Sequence, residues 1–121
     1  MQSGKIGLYR TTAERMFHYY VTPQSTGNRT DVRWMKLEDE AGQGIFVDSN
    51  RPFQFSVVPF TDDVLEKARH INDLERNGRI TVHLDAEQAG VGTATCGPGV
   101  QPQYRVPLTE QSFEFTLRGV K

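Results

Sequence analysis

Residues 32–47 read VRWMKLEDEAGQGIFV, and this stretch decides the fold class of the chain. Val32 to Glu38 carries apolar side chains at both odd and even positions, so both faces of an extended strand would be apolar. Asp39 to Gly44 contains two glycines that can adopt positive φ, which suits a hairpin turn. Ile45 to Val47 is the returning strand. The stretch therefore predicts an antiparallel hairpin that is covered on both sides.

Further segments on either side of this hairpin have strand patterns. Aromatic and β-branched residues favour strands, and Pro ends a strand because it lacks a backbone donor. The pattern predicts strands at Phe17 to Val21, Phe53 to Phe60, Arg79 to Asp85, Tyr104 to Pro107 and Phe113 to Leu117. Helical spacing after Thr61 predicts one short helix from about Asp62 to about Asp73. The fold class that follows is all-β: an antiparallel β-sandwich of about seven strands with one short helix, in a single domain over residues 1–121.

The charge and cysteine content exclude several classes of protein. The chain has 121 residues with 14 basic and 15 acidic side chains, a net charge of -1. A nucleic-acid-binding protein would need a clustered basic excess, and a peripheral membrane protein would need a polybasic patch. Cys96 is the only cysteine, so the chain has no internal disulfide. We therefore expect neither nucleic acid nor a membrane as a partner.

The long loop from Ala89 to Gln103 is the most unusual segment. Its glycines would suit a phosphate-binding loop, but Thr95 stands where the dinucleotide motif has glycine, and Pro98 blocks the helix that must follow. We expect instead a shaped loop that presents Cys96 to a ligand or partner. A nucleophilic Cys96 would need a base such as His83 nearby, and most single cysteines are apolar fillers.

Acidic residues offer no defined catalytic pattern. His83, Asp85 and Glu87 alternate at strand spacing, which resembles a metal site but is also typical of the solvated side of a strand. Glycoside hydrolysis would need two carboxylates roughly 5 to 9 Å apart, and no pattern among the acidic residues selects such a pair. We therefore assign neither a catalytic residue nor a metal ligand.

Residues 20–34 read YVTPQSTGNRTDVRW and resemble the signature YVxPQENGNRTDVRW of the large β-galactosidases of glycoside hydrolase family 2. Further family motifs follow in order and spacing: FQFS at residues 53–56, HINDL at 70–74, VHLD at 82–85, and a glycine-containing segment ending in CGP at 96–98. The resemblance covers nearly the whole chain, from about Ile6 to Leu117.

The resemblance implies the C-terminal, small-chain part of a galactose-mutarotase-like sandwich domain. In that family the barrel preceding it carries both catalytic glutamates of a retaining β-galactosidase, which hydrolyses terminal β-D-galactosides such as lactose. Neither glutamate matches a position here, so this segment alone is expected to be inactive. Family members often use magnesium and sodium ions bound elsewhere, and no cofactor is expected in this segment.

The resemblance also gives the loop a role. In well-known members the equivalent of residues 92–98 reaches the active site and offers a tryptophan as a platform for the sugar. Cys96 stands at that position here, so we expect the 90–99 loop to border the active site with Cys96 as the substrate-binding residue. Ser25 and Thr26 depart from the usual Glu-Asn, so a polar role of that pair does not transfer.

The expected partners are the rest of the β-galactosidase chain and a galactoside substrate. We also expect self-association of the isolated segment, because a divided sandwich exposes strand edges and apolar faces. The alternative is a free-standing carbohydrate-binding sandwich module. A sugar epimerase of the mutarotase type is a further alternative, with His83 and Glu87 as its acid and base.

Overall fold

The computed structural model describes residues 6–17, 27–70, 73–74, 77–88 and 99–121. In chain order its elements are helix α1 (Ala13–Met16), strands β1 (Arg29–Glu38) and β2 (Gly44–Val58), helix α2 (Asp62–Lys67), strand β3 (Thr81–Asp85), a 3-10 helix (Pro102–Tyr104) and strand β4 (Phe115–Val120). Residues 18–21 of the predicted first strand lie outside the described residues, as does Cys96 with residues 89–98.

β2 is the central strand of a four-stranded sheet that β1, β3 and β4 join. β1 and β4 both run antiparallel to β2 and pair with the same residues near its start, so they flank it on opposite sides. The predicted fold class is confirmed, because the described chain is mostly antiparallel sheet with short helices, in an unclosed arrangement consistent with a sandwich-like domain.

The predicted hairpin turn between β1 and β2 is confirmed. The backbone N–H of Asp39 donates to the Gln43 carbonyl at 2.8 Å, and the Gln43 N–H donates to the Asp39 carboxylate at 2.9 Å. Gly42 adopts φ 79, which costs a residue with a Cβ about 1–2 kcal/mol. At Gly44 a Cβ would overlap the carbonyl oxygen of Leu37. Glycine is therefore needed at both positions, for different reasons.

β2 is 15 residues long and irregular in its middle. Four of its residues, Ser49 to Pro52, lie opposite Arg33 alone on β1. Extra residues of this kind form a bulge, where a proline is tolerated because the ladder is already interrupted. The predicted strands at Ile45 to Val47 and Phe53 to Phe60 are therefore parts of one strand that continues through the bulge.

Helix α2 is shorter than the sequence predicts, because it ends at Lys67 instead of near Asp73. The Asp73 carboxylate accepts hydrogen bonds from the backbone N–H groups of Arg69 at 3.0 Å and His70 at 2.9 Å. Side-chain bonds of this kind compete with helical backbone bonds. Ile71, which the spacing placed on the helix, lies outside the described residues.

Thr61 is the N-cap of α2 by position, but its side chain makes no capping hydrogen bond. Its hydroxyl instead bonds the Asp63 carboxylate and accepts a hydrogen bond from the Asn77 amide at 3.1 Å. The Thr61 hydroxyl, helped by nearby Lys67, lowers the pKa of Asp63 below its usual value. The stabilisation from this carboxylate is therefore present above its unfolded pKa and is lost as the pH falls through its folded pKa.

Two further features of the structure differ from what the sequence analysis gave. The strand at Tyr104 to Pro107 was wrong, because Pro102–Tyr104 form a 3-10 helix and residues 105–107 are irregular. Helix α1 was not predicted, and the Thr12 hydroxyl caps it by accepting a bond from the Arg15 N–H at 3.3 Å. The described ranges contain four strands, against about seven expected for the whole chain.

The chain divides into two units, and the first consists of Met1–Asn28 and Ser56–His83. The Phe17 and Phe60 rings meet edge to face at 5.3 Å. Gly27 adopts φ 68 there, and a Cβ at this position would overlap a backbone carbonyl oxygen. Among the described residues of this unit, the buried apolar side chains are Met16, Val57, Val58 and Phe60.

The second unit consists of Arg29–Phe55 and Leu84–Lys121. It contains β1, most of β2, all of β4, and both ends of the long loop. Where the structure describes this unit, the buried apolar side chains are Met35, Val47 and Phe53.

Candidate functional site

The first described end of the long loop is fastened to β2. The chain bends at Ala86 directly after β3, and the Glu87 carboxylate then lies 3.2 Å from the Arg51 guanidinium. Both side chains are partly exposed, so the pair contributes little to stability. Its effect is to fix the chain two residues before residue 89.

The second end of the loop is held by hydrogen bonds among its own residues. The Arg105 guanidinium donates to the Val100 carbonyl at 3.0 Å, and the Arg105 N–H donates to the Pro102 carbonyl at 3.3 Å. These bonds hold residues 100–105 in a tight turn that includes the 3-10 helix. Cys96, the predicted substrate-binding residue, lies outside the described residues between these two ends.

Arg51 was missed by the sequence reasoning, and the bulge in β2 explains its position. The same bulge is tied to the start of β4, because the Ser49 hydroxyl donates to the Glu114 carbonyl at 2.8 Å and the Asn50 N–H donates to it at 3.2 Å. A bulge redirects side chains that a regular strand would alternate. The signal in the sequence was Pro52, since a proline inside a strand pattern points to a bulge.

The structure does not assemble His83, Asp85 and Glu87 into one cluster. His83 is exposed on β3, whereas Glu87 lies beyond the bend that follows the strand and is bound by Arg51. Among the described residues, no group of three or more His, Cys, Asp or Glu side chains could hold a metal ion. The described residues therefore do not form the metal site considered for these three side chains, and the acid and base roles of His83 and Glu87 stay a prediction.

Strand pairing gives the sheet of the second unit two distinct faces. Paired residues of antiparallel strands point to the same side, and successive residues alternate. One side, called the Trp34 face, carries Trp34, Lys36, Phe46, Asp48, Thr116 and Arg118. The other side, called the Val47 face, carries Met35, Leu37, Ile45, Val47, Phe115 and Leu117.

The Trp34 face combines aromatic rings with paired charges. The Trp34 ring stacks on Phe46 at 5.6 Å between centroids, and the Arg118 guanidinium lies 4.8 Å from the Phe46 centroid. Arg118 also lies 3.2 Å from the Asp48 carboxylate. Trp34 remains 47% exposed, so the expectation that both sides of this strand are covered was wrong for this side.

The Val47 face is covered over two strands and open over the third. Val47 on β2 is 0% exposed and Met35 on β1 is 5% exposed. Leu117 on β4 pairs directly with Val47, yet it is 55% exposed, and Phe115 is 46% exposed. The apolar cover therefore stops between β2 and β4.

The described helices are all too short to cross a membrane. This finding concerns only the helices of the described ranges.

Comparisons with known proteins agree on one family. Residues 1–117 match the family described as "Beta galactosidase small chain". The β-galactosidase of Actinobacillus pleuropneumoniae is 30% identical over 112 residues, which cover 93% of this chain and 11% of that protein. The β-galactosidase of Kluyveromyces lactis is 35% identical over 118 residues, covering 96% of this chain and 11% of that protein. The β-galactosidase of Halalkalibacterium halodurans is 37% identical over 111 residues, covering 90% and 11%. The chain thus spans about a tenth of the length of these relatives.

Proposed function

The chain belongs to the β-galactosidase small-chain family, and from this premise we propose that it is a non-catalytic segment of a larger β-galactosidase, called the parent chain. The observation that carries the proposal is the ratio of matched lengths, about nine tenths of this chain against about a tenth of each relative. The segment would form the C-terminal part of a sandwich domain and pack on the catalytic barrel of the parent chain.

The chemistry of the parent chain is proposed to lie outside this segment. Retaining hydrolysis of a terminal β-D-galactoside such as lactose needs two carboxylates. One attacks the anomeric carbon, and the other protonates the leaving oxygen and then activates water. Support comes from Glu38, Asp48 and Glu87, whose carboxylates each lie within 3.2 Å of a Lys or Arg side chain, an arrangement typical of surface ion pairs.

Magnesium and sodium ions of the parent chain are also proposed to bind elsewhere. Among the residues that the structure describes, no group of three or more His, Cys, Asp or Glu side chains could hold a metal ion.

The segment would contribute to the sugar site through its 90–99 loop. Support comes from the fastened ends, with the Arg51–Glu87 pair before the loop and the bonds of Arg105 after it. When both ends of a loop are held in this way, the centre of the loop can occupy fewer positions. Cys96 would border the pocket entrance as a small, soft and apolar contact, with less area than an aromatic platform.

The proposal is tested by comparing the 121-residue chain with the parent chain on a chromogenic β-galactoside. We expect hydrolysis by the parent chain and none by the segment. Turnover by the segment alone, purified free of host β-galactosidase, would show that the chemistry lies within these residues and would overturn the proposal.

The role of Cys96 is tested in the parent chain by Cys96→Trp and Cys96→Ser. A tryptophan would restore stacking area, so KM for lactose should fall by about 2- to 10-fold, as expected for an added aromatic contact. Cys96→Ser should change KM much less. Equal KM values for all three proteins, with lactose and with a nitrophenyl galactoside, would place Cys96 away from the sugar.

A free-standing carbohydrate-binding module is the second candidate, and the exposed Trp34 is the observation that favours it. Such modules present an aromatic ring to one face of a sugar. Trp34 is the only tryptophan in the chain, so its fluorescence reports on this face alone. Titration of the 121-residue chain with galactose or lactose distinguishes the candidates, because a saturable change favours the binding module and an unchanged spectrum favours the segment.

A further inference from the structure

The β4 part of the Val47 face is an apolar patch with a sharp boundary. Val47 and Leu117 are direct partners in the β2–β4 ladder, yet the first is fully buried and the second is more than half exposed. Phe115 points to the same side, and its ring lies 5.6 Å from that of Phe113. These three exposed or half-buried side chains, Phe113, Phe115 and Leu117, are called the β4 patch.

The β4 patch lacks the charged groups that accompany the exposed aromatics of the other face. Arg118 is the only charged residue of β4, and it points to the Trp34 face, where Asp48 binds it. Exposed apolar surface of this kind, continuous with a buried core, marks a contact with other protein. The Trp34 face, by comparison, has its charges paired within the segment.

The outer edge of β4 is open in the described structure. Among the described strands, β4 pairs only with β2, and it pairs along its whole length. Natural edge strands are usually guarded by proline or several charges, whereas β4 has no proline and one charged residue. An adjoining strand could therefore extend the sheet next to the patch.

We propose that the β4 patch is where this segment docks on the remainder of the parent chain. This inference rests on the proposed function, because it takes the occupant to be the part of the parent chain outside the segment. The relatives supply the argument for that occupant, since about nine tenths of their length lies beyond the match. Leu117 and Phe115 would become buried there, while Thr116 between them would stay on the opposite face.

The test places Leu117→Asp and the matched control Thr116→Asp in the parent chain and in the 121-residue chain. The two positions are adjacent on β4, both are exposed, and they point to opposite faces. In the parent chain, Leu117→Asp should speed the loss of β-galactosidase activity on heating by about 10-fold or more, because it buries a charge. Thr116→Asp adds its charge on the exposed opposite face, where it faces Asp48, so like-charge repulsion should speed that loss by less than about 5-fold.

The 121-residue chain serves as the folding control. Its unfolding midpoint should shift little with either substitution, because both positions are exposed in it. Leu117→Thr provides a milder variant that keeps a residue suited to strands and should change the parent chain in the same direction.

Two results would overturn the docking proposal. One is equal heat inactivation of the parent chain with Leu117→Asp and with Thr116→Asp. The other is loss of self-association in the 121-residue chain with no effect in the parent chain, which would make a second copy the occupant. Failure of the proposed function is read separately, from a wild-type parent chain without galactosidase activity.

Discussion

The Trp34 face and the Val47 face belong to the same three strands, but their apolar side chains differ in solvent exposure and in the charged groups beside them. On the Trp34 face, the exposed indole stacks on Phe46, and Arg118 and Asp48 complete the cluster with a cation–π contact and an ion pair. On the Val47 face, burial is complete at Val47 and absent one strand away at Leu117. The Trp34 face can remain in contact with water, whereas the Val47 face has apolar side chains on β4 that no described residue covers.

This difference teaches how a segment of a larger protein can be recognised from its surface. An antiparallel sheet of a complete domain commonly buries one face and presents polar side chains on the solvated face. Here the alternation of β4 continues the apolar face, with Phe115 and Leu117, past the point where the described residues cover it. The pattern agrees with a chain that spans about a tenth of its relatives.

The largest effect is expected from breaking the covered part of the Val47 face. Val47→Asp places a charge in a fully buried position, which should destabilise the 121-residue chain by about 3–5 kcal/mol or more. Leu117→Asp, at the paired position, should cost less than about 1 kcal/mol in the same chain. Urea denaturation measures both. Equal losses would mean that the two positions are equally buried, which would contradict the boundary between Val47 and Leu117.

A smaller effect is expected at the hairpin that sets the register of both faces. A slip of one residue would exchange the faces, since side chains alternate along a strand. Gly44→Ala would drive a methyl group into the Leu37 carbonyl and should cost about 2 kcal/mol or more. In Gly42→Ala the added Cβ meets no atom within 4 Å, so the cost should be only that of the positive φ, about 1–2 kcal/mol. Thermal unfolding compares them, and a larger loss at Gly42 would contradict the steric argument.

Between Trp34 and Phe46 we expect a coupling free energy of about 0.5–1.5 kcal/mol, which is the part of the stacking that goes beyond the burial of each ring. Trp34→Ala and Phe46→Ala, with the double variant, isolate the coupling between the rings. Arg118→Lys keeps the charge but removes the planar group that lies on Phe46, so it should cost less than about 1 kcal/mol. A coupling near zero between Trp34 and Phe46 would mean that the face is ordered by something other than this cluster.

The smallest effect is expected at the bulge, which belongs to neither face. Arg51→Ala and Glu87→Ala should show a coupling of about 0.2–1 kcal/mol in a double-mutant cycle, because both side chains are partly exposed. The coupling should shrink in high salt. A much larger coupling would show that the base of the loop is a major source of stability.

Much of the fold could be predicted from the sequence because local chemistry decides it. The glycines of the Asp39 to Gly44 turn and the alternation around Phe53 determine the hairpin and β2 without help from distant residues. Two errors have identifiable causes. Asp73 binds backbone N–H groups that a longer helix would have used, and the two strands predicted at Ile45 to Val47 and Phe53 to Phe60 are joined through a bulge.

The candidate site could be predicted only in part. The long loop and Cys96 were selected by composition and by resemblance, but the contact of Arg51 with Glu87 joins residues 36 positions apart and depends on the bulge. The exposure of Trp34 and Leu117 also could not be predicted from the sequence, because the same alternating pattern is found on a covered face and on an uncovered one. Which of the two occurs depends on tertiary neighbours.

The most direct test of the central claim is amide hydrogen exchange of β4, Phe115–Val120, in the 121-residue chain and in the parent chain. Exchange reports local opening, so a strand that gains a covering layer becomes more protected. We predict that β4 gains protection of about 10-fold or more in the parent chain, while Trp34 and its neighbours on β1 change little. Equal protection of β4 in the two proteins would contradict the claim that the remainder of the parent chain completes the Val47 face.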